Sequence, residues 1–324
     1  MTVMPPVYVG IDTSNYTTSI CAIDESGAVI YEDRRLLQVP KGKNGLQQSA
    51  ALFQHLTRLP DRLDVLQDVL SGRTIKAVGV SSKPRPRPGS YMPVFLPGLL
   101  AAKGIAAGAN VSVWETTHQE GHIAAAEASA YFDSEIERPF LVYHLSGGTT
   151  DLLWVKKNGN GYTIRDLYSS LDLHVGQFID RIGVAMGLSF PAGKELEALA
   201  TQSDNDFPSI PSSVKSGSPS FSGPLTAALK LLDQGVPKEQ LAASILRVVA
   251  TSLEKSIRYA MEQTGIERIL FVGGVASNQL VRQRLQMRFG DSEQRSQRLY
   301  FCDPYYASDN AYGVALIARN CEES

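Results

Sequence analysis

A three-strand pattern followed by alternating helices and strands occurs twice in this chain, and that duplication restricts the fold more than any single motif does. The first copy opens on "VYVGIDTS", an apolar run that ends in an acidic, hydroxyl-bearing turn. "TTSICAID" and "GAVIYED" follow, with Gly27 placed as a hairpin turn requires. Residues 46–70 carry Leu46, Ala50, Phe53, Leu56, Leu63, Leu66 and Leu70 at helical spacing, and Pro60 is expected to break that helix. "IKAVGVSS" reads as a buried strand, 97–108 as a small-residue helix, "VSVWE" as a strand and 118–131 as an alanine-rich helix.

The pattern restarts near Pro139 with "FLVYHLSGG", "TTDLLWVKK" and "GYTIRDL". Helices are expected over about 175–187 and 240–264, the latter with Leu241, Ile245, Val248, Val249, Leu253, Ile257 and Ala260 on one face. "RILFVGG" is a strand running into glycines. A helix from Asn278, a strand near "RLYFC" and a last helix from Ser308 to Arg319 complete the copy. Residues 201–223, rich in Ser, Pro and Asp, read as an irregular insertion. The fold class is therefore α/β, two duplicated lobes with mixed sheets facing one another across a cleft. The first lobe covers 1–139 and the second 140–324, with the final helix packing back on the first.

Composition sets limits on function. Of 324 residues, 43% are hydrophobic and 20% charged, which is enough apolar material for two ordinary domains. A formal charge of −2 gives no electrostatic case for tight nucleic-acid binding by the chain alone, although a partner would supply basic surface. Three cysteines, none in a CxxC pair, fit a reduced cytoplasmic protein. No signal-peptide pattern opens the chain, and no apolar run approaches the roughly 18–20 residues that span a bilayer.

"THQEGH" at 117–122 sets two histidines four apart, one turn along one helix face. A zincin would place its general base immediately after the first histidine. That slot is Gln119, and Glu120 lies about 100° further around the helix. Thr117 and Glu120 instead fit a capping box, so protease chemistry lacks its base. Spacing alone favours reading His118 and His122 as a pair of polar residues near a helix start, with two ligands of one metal as the other reading. His144, inside an apolar strand, reads as a core residue. His174 is ambiguous, and His55 is expected at a surface or interface.

Three turns bear on a nucleotide. "HLSGGTTDLL" joins two strands through Gly147 and Gly148, which let backbone approach an anion; an ordinary hairpin turn is the other reading. "IDTSNYTTS" stands at the equivalent place in the first copy. "FVGGVASN", with Gly273 and Gly274, suits close approach of an adenosine or phosphate, or is simply a tight strand-to-helix turn.

These motifs, in this order on a duplicated lobe, resemble the actin/Hsp70/sugar-kinase superfold (ASKHA). "GIDTS", "HQEGH", "SGGTTDL", "GQFIDRIGVAMGLSFPAGKELEALA", "PSFSG", "VGGVASN" and "SDNAYGVALIA" are similar to motifs of one branch, TsaD, also called YgjD or Gcp. The resemblance covers nearly the whole chain, and the HxEGH and SDNA elements together are its specific part. It implies the catalytic subunit of tRNA N6-threonylcarbamoyladenosine synthesis, a family once misnamed a glycoprotease. It implies binding of a divalent metal by His118, His122 and Asp309, the last delivered by the terminal helix; two imidazoles and a carboxylate with open positions would suit Zn²⁺ or Fe²⁺ as a Lewis acid. Leu145, Ser146, Gly147, Gly148 and Thr149 would wrap the phosphates of ATP, ADP, AMP or a carbamoyl-adenylate. Asp180 would bind ribose, Gly193 would line the nucleoside pocket and Asn278 would hold the adenine end. TsaB- and TsaE-like proteins would be the partners that bring in tRNA.

Four departures from the family pattern stand out. Tyr16 and Thr17 replace an acidic pair near the reacting carbamoyl group, which leaves Tyr16 and Asp12 as the catalytic candidates there. Thr149 replaces a larger polar residue, and Gln177 replaces a Glu. "SSKPRPRPGSYMPVFLPGLL" replaces a "TxGPGL" stretch, and its prolines favour an extended polyproline II strand. That strand would present Lys83, Arg85 and Arg87 to RNA or an acidic partner, or be a stiff solvated loop. The expectation is threonylcarbamoyl transfer to tRNA, weakened by Tyr16. A non-catalytic nucleotide- and metal-binding paralogue and a carbamoyl transferase acting on a small molecule are the alternatives.

Overall fold

The computed structural model describes residues 4–14, 16–39, 46–133, 138–159, 161–204, 206–290 and 298–324. The chain forms two compact units. The first holds Met1–Ile136, Lys157–Thr163 and Ser308–Ser324; the second holds Glu137–Lys156 and Ile164–Ala307. Lys157–Thr163 thus group with the first unit, whereas the sequence reading divides the chain at 139/140.

In the first unit, β1 (Val7–Thr13), β2 (Thr17–Asp24) and β3 (Val29–Leu36) form an antiparallel meander. Helix α1 (Gln48–Val69), β4 (Ile75–Lys83), α2 (Leu96–Ala109), β5 (Ser112–Thr117) and α3 (His118–Ser129) follow. The sheet order is β3-β2-β1-β4-β5, with β1, β4 and β5 parallel. Strand alternation sorts the two faces. Val7, Val9, Ile11, Ile20 and Ala22 pack with Leu59, Leu66 and Ala102 from α1 and α2. Tyr8, Cys21 and Ile23 pack with Ala311, Ala315 and Leu316 on the other face. Those last three belong to the terminal segment, whose helix α9 runs Tyr312–Glu322.

Two helix expectations change. Pro60 lies inside α1 without ending it. The lost hydrogen bond is offset by packing, since Ala51, His55, Leu59 and Leu66 are all buried along the helix. This stripe is rotated from the expected one: Phe53 and Leu56 face outward, and His55 is wholly buried rather than at a surface. Helix α9 begins at Tyr312, not Ser308. The Asn310 side chain accepts from the Tyr312 N–H, an Asx arrangement that favours a turn over a helix. Asp309 therefore sits in a loop just ahead of the helix.

The second unit repeats the plan. Strands β6 (Phe140–Leu145), β7 (Thr150–Asn158) and β8 (Gly161–Ser169) are followed by α4 (Val175–Ala185) and α5 (Gly193–Ala200). A short antiparallel hairpin, β9 (Ser213–Lys215) and β10 (Ser218–Ser220), occupies the stretch expected to be irregular. Then come α6 (Ser222–Asp233), α7 (Lys238–Thr264), β11 (Ile269–Val272), α8 (Gln279–Phe289) and β12 (Leu299–Phe301). The order β12-β11-β6-β7-β8 matches the first sheet strand for strand, with β11 parallel to β6 and β12. The apolar face of α7 buries Leu241, Ile245, Val249, Leu253 and Ile257 in the core.

The proline-rich segment after β4 is not an extended polyproline II strand. The Arg87 N–H donates to the Arg85 carbonyl, and the Ser90 N–H to that of Arg87. Polyproline II has no internal hydrogen bonds, so this is a folded turn.

Among the described residues, no helix is long and apolar enough to cross a membrane.

Candidate functional site

Parallel strands β1, β4 and β5 end at one edge of the first sheet, the edge at which open α/β sheets place ligands. Asp12 stands at the end of β1, on the face that carries Tyr8, and is completely buried. β5 passes into α3 without a loop, so His118 is the first helical residue beyond the same edge. The helix start is fixed by a capping box. The Thr117 hydroxyl accepts from the Glu120 N–H at 3.2 Å, and Glu120 accepts from the Thr117 N–H at 3.0 Å. Glu120 also accepts from both Thr116 and Thr117 hydroxyls. Its carboxylate is committed to the cap and is no base for the histidines. The Gln119 N–H donates to the Pro84 carbonyl, which ties the proline-rich turn to this helix start.

α9 brings the third group. Gly10 on β1 lies directly under the backbone of Ala311 and Ala315, so closely that any Cβ there would collide with it. This approach sets Asp309 against α3. His118 Nε2 and His122 Nε2 are 3.1 Å apart, and Asp309 Oδ1 is 3.5 Å from the first and 3.4 Å from the second. His118 Nδ1 faces Asp12 Oδ2 at 3.1 Å. The other oxygen of Asp309, Oδ2, accepts from the hydroxyls of Ser14 at 3.1 Å and Thr17 at 3.3 Å.

Charge follows geometry. Burial opposes a charged His118, but the carboxylates of Asp12 and Asp309 outweigh it and push the imidazole up to about 10. Burial likewise opposes a charged Asp309, and His118 and His122 hold its carboxyl well below the usual range. Two carboxylates converging on two imidazoles make a centre that favours a cation.

The sequence missed Ser14 and Thr17 as partners of Asp309. "IDTSNYTTS" reads as a phosphate turn, yet in the structure these two hydroxyls turn to a carboxylate. Tyr16, between them in sequence, is 39% exposed, and its carbonyl accepts from the Leu37 N–H.

In the second unit, β6 and β11 end side by side. The loop after β6 is closed by the Ser146 N–H to the Thr149 carbonyl at 2.8 Å, and the Ser146 hydroxyl accepts from the Gly148 N–H. Leu145 is buried, whereas Gly147 and Gly148 are exposed and have open space where a Cβ would stand. Neither has a positive φ, so neither conformation nor packing requires glycine there. Gly274 and Gly193 are open in the same way. Gly273 differs: its φ is +93° and a Cβ there would collide with the Leu145 carbonyl, so conformation and packing explain the glycine without a ligand. Asp180 accepts from the Ala192 N–H at 2.8 Å, beside Gly193, and burial raises its carboxyl. Asn278 is nearly buried and caps α8, accepting from the Val281 N–H at 2.9 Å. Gln177 accepts from the His174 N–H at the start of α4.

The family model described as tRNA N6-adenosine threonylcarbamoyltransferase, TsaD, matches residues 51–316. A protein of that name from Thermus thermophilus is 29% identical over 313 residues, covering 95% of this chain and 91% of the relative. Among solved structures, full-length HypF in a phosphate- and nucleotide-bound form aligns with a TM-score of 0.60 at 12% identity, over 99% of this chain and 47% of that one. Component A of the (R)-2-hydroxyglutaryl-CoA dehydratase of Acidaminococcus fermentans aligns with a TM-score of 0.55 at 16% identity, over 98% and 100%. At such identity these two speak for the fold alone, the duplicated α/β fold of the actin/Hsp70/sugar-kinase type. With most of its length matched by the family model and its sheets duplicated as that fold requires, the chain belongs to the TsaD family of tRNA N6-adenosine threonylcarbamoyltransferases.

Proposed function

We propose that this protein transfers a threonylcarbamoyl group from a carbamoyl-adenylate to N6 of an adenosine in tRNA. In that reaction the N6 amine attacks the carbamoyl carbonyl. A C–N bond forms, the C–O bond to the adenylate phosphate breaks, AMP leaves and N6 loses a proton. The observation that carries the reading is the convergence of His118, His122 and Asp309, backed by Asp12.

That donor set fits a divalent transition metal. Three ligands each about 2.1 Å from one tetrahedral ion lie about 3.4 Å apart, and the three atoms here stand 3.1, 3.4 and 3.5 Å apart. Asp12 on Nδ1 of His118 fixes the tautomer that leaves Nε2 for the ion, the usual carboxylate–histidine support of such a site. Zn²⁺ or Fe²⁺, both at home with imidazole and carboxylate, would supply Lewis acidity at a carbamate or phosphate oxygen. The chain's own work is positioning. Gly147 and Gly148 leave room for a phosphate against backbone, while Asp180 and Gly193 frame a place for the nucleoside. Covalent catalysis by cysteine has no support: Cys21 and Cys302 are buried, and the half-buried Cys321, whose thiol is pushed up by burial, lies at the end of α9 away from Asp309.

The test is incubation of the protein, with TsaB- and TsaE-like partners, with carbamoyl-adenylate and unmodified tRNA. Modified adenosine should form and should be lost in His118→Ala. Absence of product under conditions where a family member works beside it would overturn the reading.

A further inference from the structure

His55 lies on α1, on the far side of the sheet from α3 and α9, and is wholly buried. Its Nε2 is 2.9 Å from the Ser14 carbonyl and its Nδ1 is 2.8 Å from the Thr18 hydroxyl. A carbonyl only accepts, so Nε2 carries the hydrogen and donates to Ser14; Nδ1 then accepts from Thr18. Burial pushes the imidazole down, in keeping with a neutral ring. His55 thus clasps both ends of the connection between β1 and β2.

That connection carries the two hydroxyls that hold Asp309. Along β2 successive side chains point to opposite faces. Thr18 points to α1 and meets His55, while Thr17 points to the other face and meets Asp309 Oδ2. Ser14 does both: its carbonyl takes the His55 hydrogen and its hydroxyl donates to Asp309 Oδ2. With Oδ2 held by two hydroxyls, Oδ1 is the oxygen left facing His118 and His122. Asp309 needs this restraint more than the histidines do. It precedes α9 in a loop, whereas His118 and His122 ride on a capped helix.

We propose that His55 is a positioning residue for the metal centre, acting through Ser14 and Thr18 to fix which oxygen Asp309 presents. The inference rests on the metal reading given above. Outer partners of ligating groups typically contribute 10–100-fold in metal affinity, and that is the scale expected here.

The experiment is Zn²⁺ binding by the full chain in competition with a chromophoric chelator, beside thermal melts of the metal-free proteins. His55→Ala should weaken Zn²⁺ binding about 10–100-fold. Ser14→Ala, which removes only the hydroxyl, should weaken it too, and the double variant should be no worse than the poorer single one. His55→Gln keeps a donor and an acceptor at similar reach and should recover most of the affinity. Should His55→Ala fold poorly, Thr18→Val and Ser14→Ala carry the test, since both leave the imidazole in place. Unchanged Zn²⁺ affinity in these variants, or full additivity in the double one, would overturn the inference while the metal site stands. Wild-type protein that binds Zn²⁺ no better than His118→Ala would overturn both.

Discussion

At the scale of single residues, Asp12 is the carboxylate that backs His118 from within the sheet. It is completely buried, faces His118 Nδ1 and lies on the sheet face covered by α9. Asp12→Asn keeps the shape and removes the charge. The variant should bind Zn²⁺ about 10–100-fold more weakly, because His118 loses the partner that sets its tautomer and basicity. Chelator competition measures this, and equal affinity would remove Asp12 from the site. Asp172 makes a separate case in the second unit. It accepts from the N–H groups of Phe221 at 2.7 Å and Ser222 at 3.2 Å, capping α6 from a distant loop. Burial opposes its charge, but these bonds and the Ser220 hydroxyl hold the carboxyl well below the usual range. A carboxyl lowered in the folded state contributes stability above its unfolded value, roughly 3.9, and that contribution fades as pH falls below it. Asp172→Asn should therefore cost about 1 kcal/mol at pH 7 and show a flatter loss of melting temperature below about pH 4 than the wild type. Parallel melting curves of temperature against pH would contradict the assignment.

At the scale of elements, the docking of α9 brings Asp309 to His118 and His122 and so completes the candidate metal site. Gly10 passes beneath the Ala311 and Ala315 backbone, Gly79 beneath Val314, and Gly313 of α9 meets the backbone of Gly121 on α3. Gly10→Ala should push α9 away from β1. Overpacking of this kind costs about 1–3 kcal/mol and moves the loop that carries Asp309, so the melting temperature and Zn²⁺ content should fall together. If metal content is retained in full, Asp309 does not depend on the seating of α9. This element also shows what the sequence makes legible. "THQEGH" makes the capping box and the shared face of His118 and His122 legible, because helix spacing and cap chemistry are local properties, whereas Asp309 as their candidate partner is legible only through the family motif "SDNAYG". The start of α9 is misread by four residues, because an Asn side chain competing with the helix backbone leaves no mark on apolar periodicity. His55 is misread for a related reason. Phe53 and Leu56 make the apolar stripe look centred where it is exposed, and only the tertiary contacts of His55 reveal the buried face. Capping by Asn278 and Asp172 shows the same contrast of range: Asn278 accepts from an N–H three residues on, next to the helix start expected at that residue, whereas the Asp172 contact spans 49 positions.

At the scale of the whole molecule, one topology is used twice with different chemistry at the ligand edge. The first sheet ends its parallel strands in Asp12 and His118, and the second ends them in the glycine turns after Leu145 and Val272. The duplication was legible because period-two and helical patterns repeat in order. The difference in chemistry was legible only where residue types are unambiguous, as with histidine against glycine. Dividing the tasks in this way predicts a separable defect. Gly147 and Gly148 have open space that neither conformation nor packing explains, so a side chain there would occupy the room that the proposed phosphate needs. Gly148→Val places a branched side chain in that space and leaves the core untouched, so the metal-free protein should melt within about 1 kcal/mol of the wild type. Its stabilisation by AMP or ADP should vanish; in the wild type, ligand at 100 times its Kd adds about 2.7 kcal/mol. Zn²⁺ stoichiometry in the variant should remain one per chain, because His118, His122, Asp309 and Asp12 all belong to the first unit. Nucleotide stabilisation that survives in Gly148→Val would move the phosphate site away from this turn. Loss of the metal along with the nucleotide would show that the two edges do not act as separate sites.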